Sequence, residues 1–124
     1  MSKLVVDIGQ INNKINKRYR VIGRVEELVS GSAGYISIIV LRNAPELSSE
    51  DGKLRVSVGD ACYSRLATAI GELCQGSAVD AMILSFMNET GEVAYELLDL
   101  RLVSVGEVEA LRQFWASEDR ELLG

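Results

Sequence analysis

The chain has 124 residues, enough for one domain and too few for two separate cores. Hydrophobic residues make up 48% and charged residues 25%, a globular composition that excludes a disordered chain. No run approaches the roughly 20 apolar residues of a membrane helix. Met1-Ser2-Lys3-Leu4-Val5-Val6-Asp7 meets charge too early for a secretory segment, so an intracellular protein is expected.

The lead-in from Leu4 to Ile15 is mixed and suits a short strand or a turn of helix. A first main strand is predicted from Tyr19 to Val29, with Gly23 inside it as the place for a bulge or sharp bend. Gly31-Ser32-Ala33-Gly34 reads as a hairpin loop, since it lacks the lysine and helix start of a phosphate-binding loop. The second strand, Tyr35 to Arg42, is β-branched and strongly apolar. After the polar break around Pro45 and Ser48 to Gly52, Lys53 to Val58 alternates strictly. Leu54, Val56 and Val58 face inward there, and Lys53, Arg55 and Ser57 outward.

Asp60 is placed to cap the next helix and Gly76 to end it, with Leu66, Ile70 and Leu73 as its buried stripe. Cys62 and Cys74 then lie too far apart along one helix to pair, and are expected as free thiols. A fourth strand covers Ala78 to Met87, a turn Asn88 to Glu92, and a fifth strand Val93 to Val103. Asn88-Glu89-Thr90 matches a glycosylation sequon, but a turn is the simpler reading. Residues 105–124 form a final amphipathic helix belonging to the same domain as the barrel of residues 1–104. The order is three strands, a helix, two strands and a terminal helix. This is the arrangement of a mainly β, five-stranded OB-fold barrel, with another small barrel or an α+β roll as competitors.

The chemistry of catalysis is thin. There is no histidine, which removes imidazole bases, Ser-His and Cys-His pairs and His-containing zinc sites. Two cysteines without close spacing cannot build a metal site unaided, and nothing nearby activates either thiol. The neighbouring acids Glu26-Glu27, Glu50-Asp51 and Glu118-Asp119 would point apart in strands or stand solvated in loops. No enzyme and no cofactor are expected.

Binding surface remains. An OB barrel holds single strands with cations along the backbone and aromatic rings beneath the bases. Arg20, Arg24, Tyr35, Arg42, Lys53, Arg55 and Arg101 are the candidates, with plain solvated surface as the alternative. A net charge of −5 argues against tight binding by this chain alone. In the terminal helix Val108, Leu111, Phe114, Trp115 and Leu122 make an apolar stripe. It would pack on the chain's own barrel or on a partner, and aromatic anchors of this kind favour a partner.

Tyr-Arg-Val-Ile-Gly-Arg-Val at 19–25, Ile70-Gly71-Glu72-Leu73, a lone barrel and a helix at the end resemble the smallest subunits of replication-protein-A-like trimers. The layout is most similar to the small, Ten-type subunit of the telomere-capping CST complex. One departure is that Ile70 to Leu73, which can begin a strand in relatives, falls in the predicted helix here. The resemblance implies a non-catalytic subunit that pairs with a larger OB-fold (Stn-type) partner and helps protect single-stranded DNA ends in the nucleus. It implies a partner surface at Val108, Leu111, Phe114, Trp115 and Leu122, with no membrane and no small-molecule substrate. A replication-protein-A small subunit, a self-associating strand binder and an RNA- or sugar-binding module stand as alternatives.

Overall fold

In the computed structural model, residues 3–5, 8–11, 14–31, 34–45, 47, 51–104, 106–110 and 113 are described. Six strands occur among them: β1 (Lys3–Val5), β2 (Arg18–Ser30), β3 (Ile36–Asn43), β4 (Lys53–Ser57), β5 (Ala78–Met87) and β6 (Val93–Leu102). A single α-helix, α1 (Asp60–Gly71), stands between β4 and β5. The five long strands close a ring in the order β2-β3-β4-β6-β5, because β2 also pairs with β5. This is the OB arrangement, and the short β1 is an addition that runs parallel to β2.

Closure depends on β2. Its first half, Arg18 to Arg24, pairs with β5, and its second half, Gly23 to Ser30, pairs with β3. Gly23 and Arg24 therefore pair on both sides, where the strand passes from one half of the barrel to the other. A Cβ on Gly23 would sit 2.5 Å from the Arg42 carbonyl oxygen, so the backbones meet more closely than any side chain permits. The sequence expectation of a turning point at Gly23 holds, but the bulge itself falls between Val25 and Glu27. On the far side β4 joins β6 in parallel at Ser57 and Glu96, and Ser57 Oγ donates to the Tyr95 carbonyl over 3.1 Å.

Alternation fills the interior. Val21 and Val25 of β2, Ile39 and Leu41 of β3, Val56 of β4, and Val79, Ala81 and Ile83 of β5 are all fully buried. Ile70 and Leu73 close the core from the helix side, with Leu66 packed against it as the stripe requires. The opposite set in β4, Lys53, Arg55 and Ser57, is exposed as expected. Ser85 is a fully buried polar residue of the interior. Its Oγ accepts from Lys17 N at 2.9 Å and donates to the Lys14 carbonyl at 2.8 Å, so it fastens the lead-in turn.

Several boundaries move. Asp60 is the first helical residue and Gly59 the N-cap, without a side-chain capping bond. The helix stops at Gly71, five residues before Gly76, which instead takes a left-handed turn at φ +93°. Cys74 consequently lies beyond the helix, exposed, while Cys62 stays on it, half-buried, and both are free thiols. Burial pushes the Cys62 thiol above its ordinary value, with Arg65 opposing. The lead-in, expected as a short strand or a turn of helix, contains β1 and a 3₁₀ turn at Ile8–Gln10. Ile70-Gly71 ends α1, and Glu72-Leu73 follows it rather than starting a strand.

The hairpin and turn readings hold. Gly31 N donates to the Tyr35 carbonyl over 2.8 Å between β2 and β3, and Gly34 takes φ +83°. Asn88 Oδ1 accepts from Thr90 N and Glu92 N at 3.1 and 2.9 Å, so the sequon asparagine is the pin of the β5–β6 turn. Among described residues the terminal segment is helical over 106–110. Leu111, Phe114, Trp115 and Leu122 lie outside the described residues.

Gly23→Ala is expected to lose about 2 kcal/mol or more of unfolding free energy, since the new methyl meets backbone and not a mobile side chain. Gly59→Ala meets open space and, at an N-cap without a side-chain bond, should cost less than about 1 kcal/mol. Urea unfolding of the two variants makes the comparison. Equal losses would remove the close approach as the closing constraint.

Candidate functional site

The outward face of β2, β3 and β4 carries a cross-strand row of cations. Arg24 stands opposite Arg42, and Arg42 opposite Lys53. All three point outward because Val25, Leu41 and Leu54, their neighbours in sequence, point into the core. Three like charges side by side repel, and the β2 bulge supplies the answer. Val25 and Leu28 both pack inward, so Glu26 and Glu27 both lie on the outer side between them. The sequence expectation that these two acids point to opposite faces is thus overturned by the one-residue slip. Glu26 holds Arg42 Nε at 3.2 Å and Lys53 Nζ at 3.4 Å, one carboxylate oxygen each. Arg24 Nη1 donates to the Gly76 carbonyl at 2.7 Å, tying the row to the loop before β5. A shallow depression of about 610 Å³ follows, lined by Glu26, Glu27, Val40, Lys53, Arg55 and Gln75. Arg55, opposite Val40, has no ion-pair partner among the described residues.

The remaining arginines lie elsewhere on the barrel. Arg20 on β2 and Arg101 on β6 flank Asp80 on β5, an acid that is only 9% exposed. Arg20 Nε and Nη2 reach the two Asp80 oxygens at 2.9 and 2.6 Å, a fork-to-fork pair. That hydrogen bond raises the already high Arg20 pKa further, against a smaller effect of burial. Arg101 Nη2 adds a contact to Asp80 Oδ2 at 3.1 Å, and its Nη1 meets Glu107 Oε2 at 3.2 Å. Asp80 was absent from the sequence candidates. Its signal was present, since a lone acid inside the run Ala-Val-Asp-Ala-Met-Ile-Leu needs a partner to be buried.

Glu107 does a second job. Its carboxylate accepts from Ser104 N, and Ser104 Oγ accepts from Glu107 N, each at 3.2 Å. This reciprocal pair is a capping box that starts the terminal helix directly after β6. Val108 in its first turn is only 2% exposed, so that side chain is already covered within the chain.

Tyr35 is apart from both clusters. Its ring lies at the start of β3, 59% exposed, with its centroid 4.9 Å from that of Tyr63 on α1. The seven candidate side chains therefore do not converge on one spot. Arg24, Arg42, Lys53 and Arg55 share a face, Arg20 and Arg101 share a carboxylate, and Tyr35 faces the helix. No group of three or more acids or cysteines among the described residues could hold a metal ion. No helix there is long and apolar enough to cross a membrane.

Asp80→Asn is expected to lower unfolding free energy by about 1–3 kcal/mol, because it strips a nearly buried anion from two guanidinium groups. Glu26→Gln breaks half-exposed pairs and should change stability by less than about 1 kcal/mol. Thermal or urea unfolding checks the order. A larger loss for Glu26→Gln would reverse the ranking of the two networks.

No protein-family model and no curated protein sequence matches this chain. Solved structures do. A chain from a crystal structure of yeast Stn1 and Ten1 superposes with a TM-score of 0.69 at 19% identity, covering 95% of this chain and 91% of that one. A chain of the S. pombe Stn1–Ten1 complex gives a TM-score of 0.57 at 13% identity, covering 86% and 72%. The S. cerevisiae mitochondrial single-stranded DNA binding protein Rim1 gives 0.55 at 11% identity, covering 72% and 94%. At these identities the likeness establishes a shared OB fold.

Proposed function

We propose that the chain is a non-catalytic OB-fold subunit that pairs with a larger, Stn-type OB-fold protein and helps the pair hold single-stranded DNA at chromosome ends in the nucleus. The observation that carries this reading is how the barrel disposes of its positive charge. Arg20 and Arg101 are answered by Asp80, and Arg42 and Lys53 by Glu26. A phosphate backbone must displace those carboxylates before it gains the cations, which weakens any grip by this barrel alone. The net charge of −5 acts in the same direction over longer range.

The likeness to the yeast Stn1 and Ten1 structure supports the choice of partner, since it spans nearly the whole of both chains. The proposed partner surface is the apolar stripe Leu111, Phe114, Trp115 and Leu122. Val108 serves as the anchor at its root, held by the capping box. On the DNA side the face of Arg24, Arg42, Lys53 and Arg55 is the proposed contact, and Arg20 and Arg101 act structurally. A self-associating strand binder is the second reading, and the likeness to the mitochondrial single-stranded DNA binding protein supports its strand-binding part. Sedimentation separates them, since that reading requires a stable homo-oligomer without any partner.

Replacing Phe114 and Trp115 together by Ala should weaken the complex with the larger subunit by about 2 kcal/mol or more, roughly 30-fold in Kd. The barrel should keep its fold. Calorimetry or a quantitative pull-down reads the change, and undiminished capture by the double variant refutes the assigned surface.

A further inference from the structure

A cleft of about 570 Å³ opens where the β2–β3 loop meets the first turns of α1. Tyr35 and Tyr63 stand in its wall with their rings tilted by 51°, so together they form an aromatic corner. Ile36 and Val58 give it an apolar floor, and Asp60 and Ser64 supply a polar edge. No lysine or arginine lines it among the described residues. The neighbouring cation row does not reach it either. Arg42 lies seven residues along β3 from Tyr35, roughly 23 Å at ~3.3 Å per residue.

We infer that this cleft receives an arginine side chain from a protein partner. Each part of the group has a counterpart. The guanidinium plane stacks over the exposed Tyr35 ring, a cation–π contact that arginine makes better than lysine. The Asp60 carboxylate accepts its N–H groups in charge-assisted hydrogen bonds. Ile36 and Val58 take the methylene stem. The N-terminal end of α1 contributes about half a positive charge, and the full negative charge of Asp60 outweighs it. A nucleotide suits the cleft less well, because its phosphate would face Asp60 with no cation among the described lining residues to answer it. The excess of acid over the whole chain adds a weak, long-range attraction for a basic segment. None of the described residues 106–110 lines the site, and it stands whether or not the proposed pairing holds.

The test uses the full chain alone, titrated with the peptide acetyl-Gly-Arg-Gly-amide and followed by NMR. Three comparisons accompany it: the same peptide with citrulline, which keeps the shape and loses the charge, a short oligothymidine, and two variants. The arginine peptide is expected to move the ring signals of Tyr35 and Tyr63 and the amides of Asp60 and Ser64. Citrulline should bind about fivefold or more weaker, and Asp60→Asn and Tyr35→Ala should each weaken arginine binding by about fivefold. Tyr35 is an exposed side chain, so its variant remains informative if Asp60→Asn disturbs the helix. Equal binding of citrulline, or oligothymidine moving these signals while the arginine peptide does not, would overturn the assignment.

Discussion

The rest of the molecule depends on the double pairing of β2 at Gly23 and Arg24. One strand can serve β5 with its first half and β3 with its second only if it turns, and the turn brings its backbone against Arg42. The same seam sets the surface. Arg24 and Arg42 face each other because Gly23 and Asn43 pair beneath them, and Lys53 joins by the β3–β4 register. Fold closure and the cation row thus have one geometric origin.

The bulge that follows within three residues has the opposite electrical effect. It brings Glu26 and Glu27 to the face that would otherwise be uniformly basic. Two of the four positive charges on this face are thereby offset, where an autonomous strand binder would keep them all. On the other side Asp80 ties Arg20 and Arg101 together, and Glu107 extends the chain of charges to the capping box of the terminal helix. Barrel wall and helix start are therefore one connected polar network, which fixes where the helix begins.

Local periodicity made most of the fold legible. The alternation in Lys53 to Ser57, the apolar run of β5 and the turn residues 88–92 define elements without knowledge of neighbours. What local pattern could not carry was pairing across the chain. Arg20 and Asp80 are sixty positions apart, and nothing near Arg20 tells of the carboxylate that occupies it. The bulge at Glu26 was equally hidden, because a glycine is the stronger local signal and it stands at Gly23. Asp60 looked like a cap and is the first helical residue, one position past Gly59. The cationic residue types on β3 and β4 were therefore legible in the sequence, and the Glu26 carboxylate that engages Arg42 and Lys53 was not.

That availability is the central claim, and a titration of the isolated chain with oligothymidine across a range of salt tests it most directly. The account predicts a Kd weaker than about 10 μM near ~0.1 M salt, with a slope in log K against log salt no steeper than about −2. Glu26→Gln should tighten binding roughly two- to fivefold and steepen the slope by about one, because it releases cations already in place. Nanomolar binding by the unaltered chain, indifferent to Glu26→Gln, would contradict it.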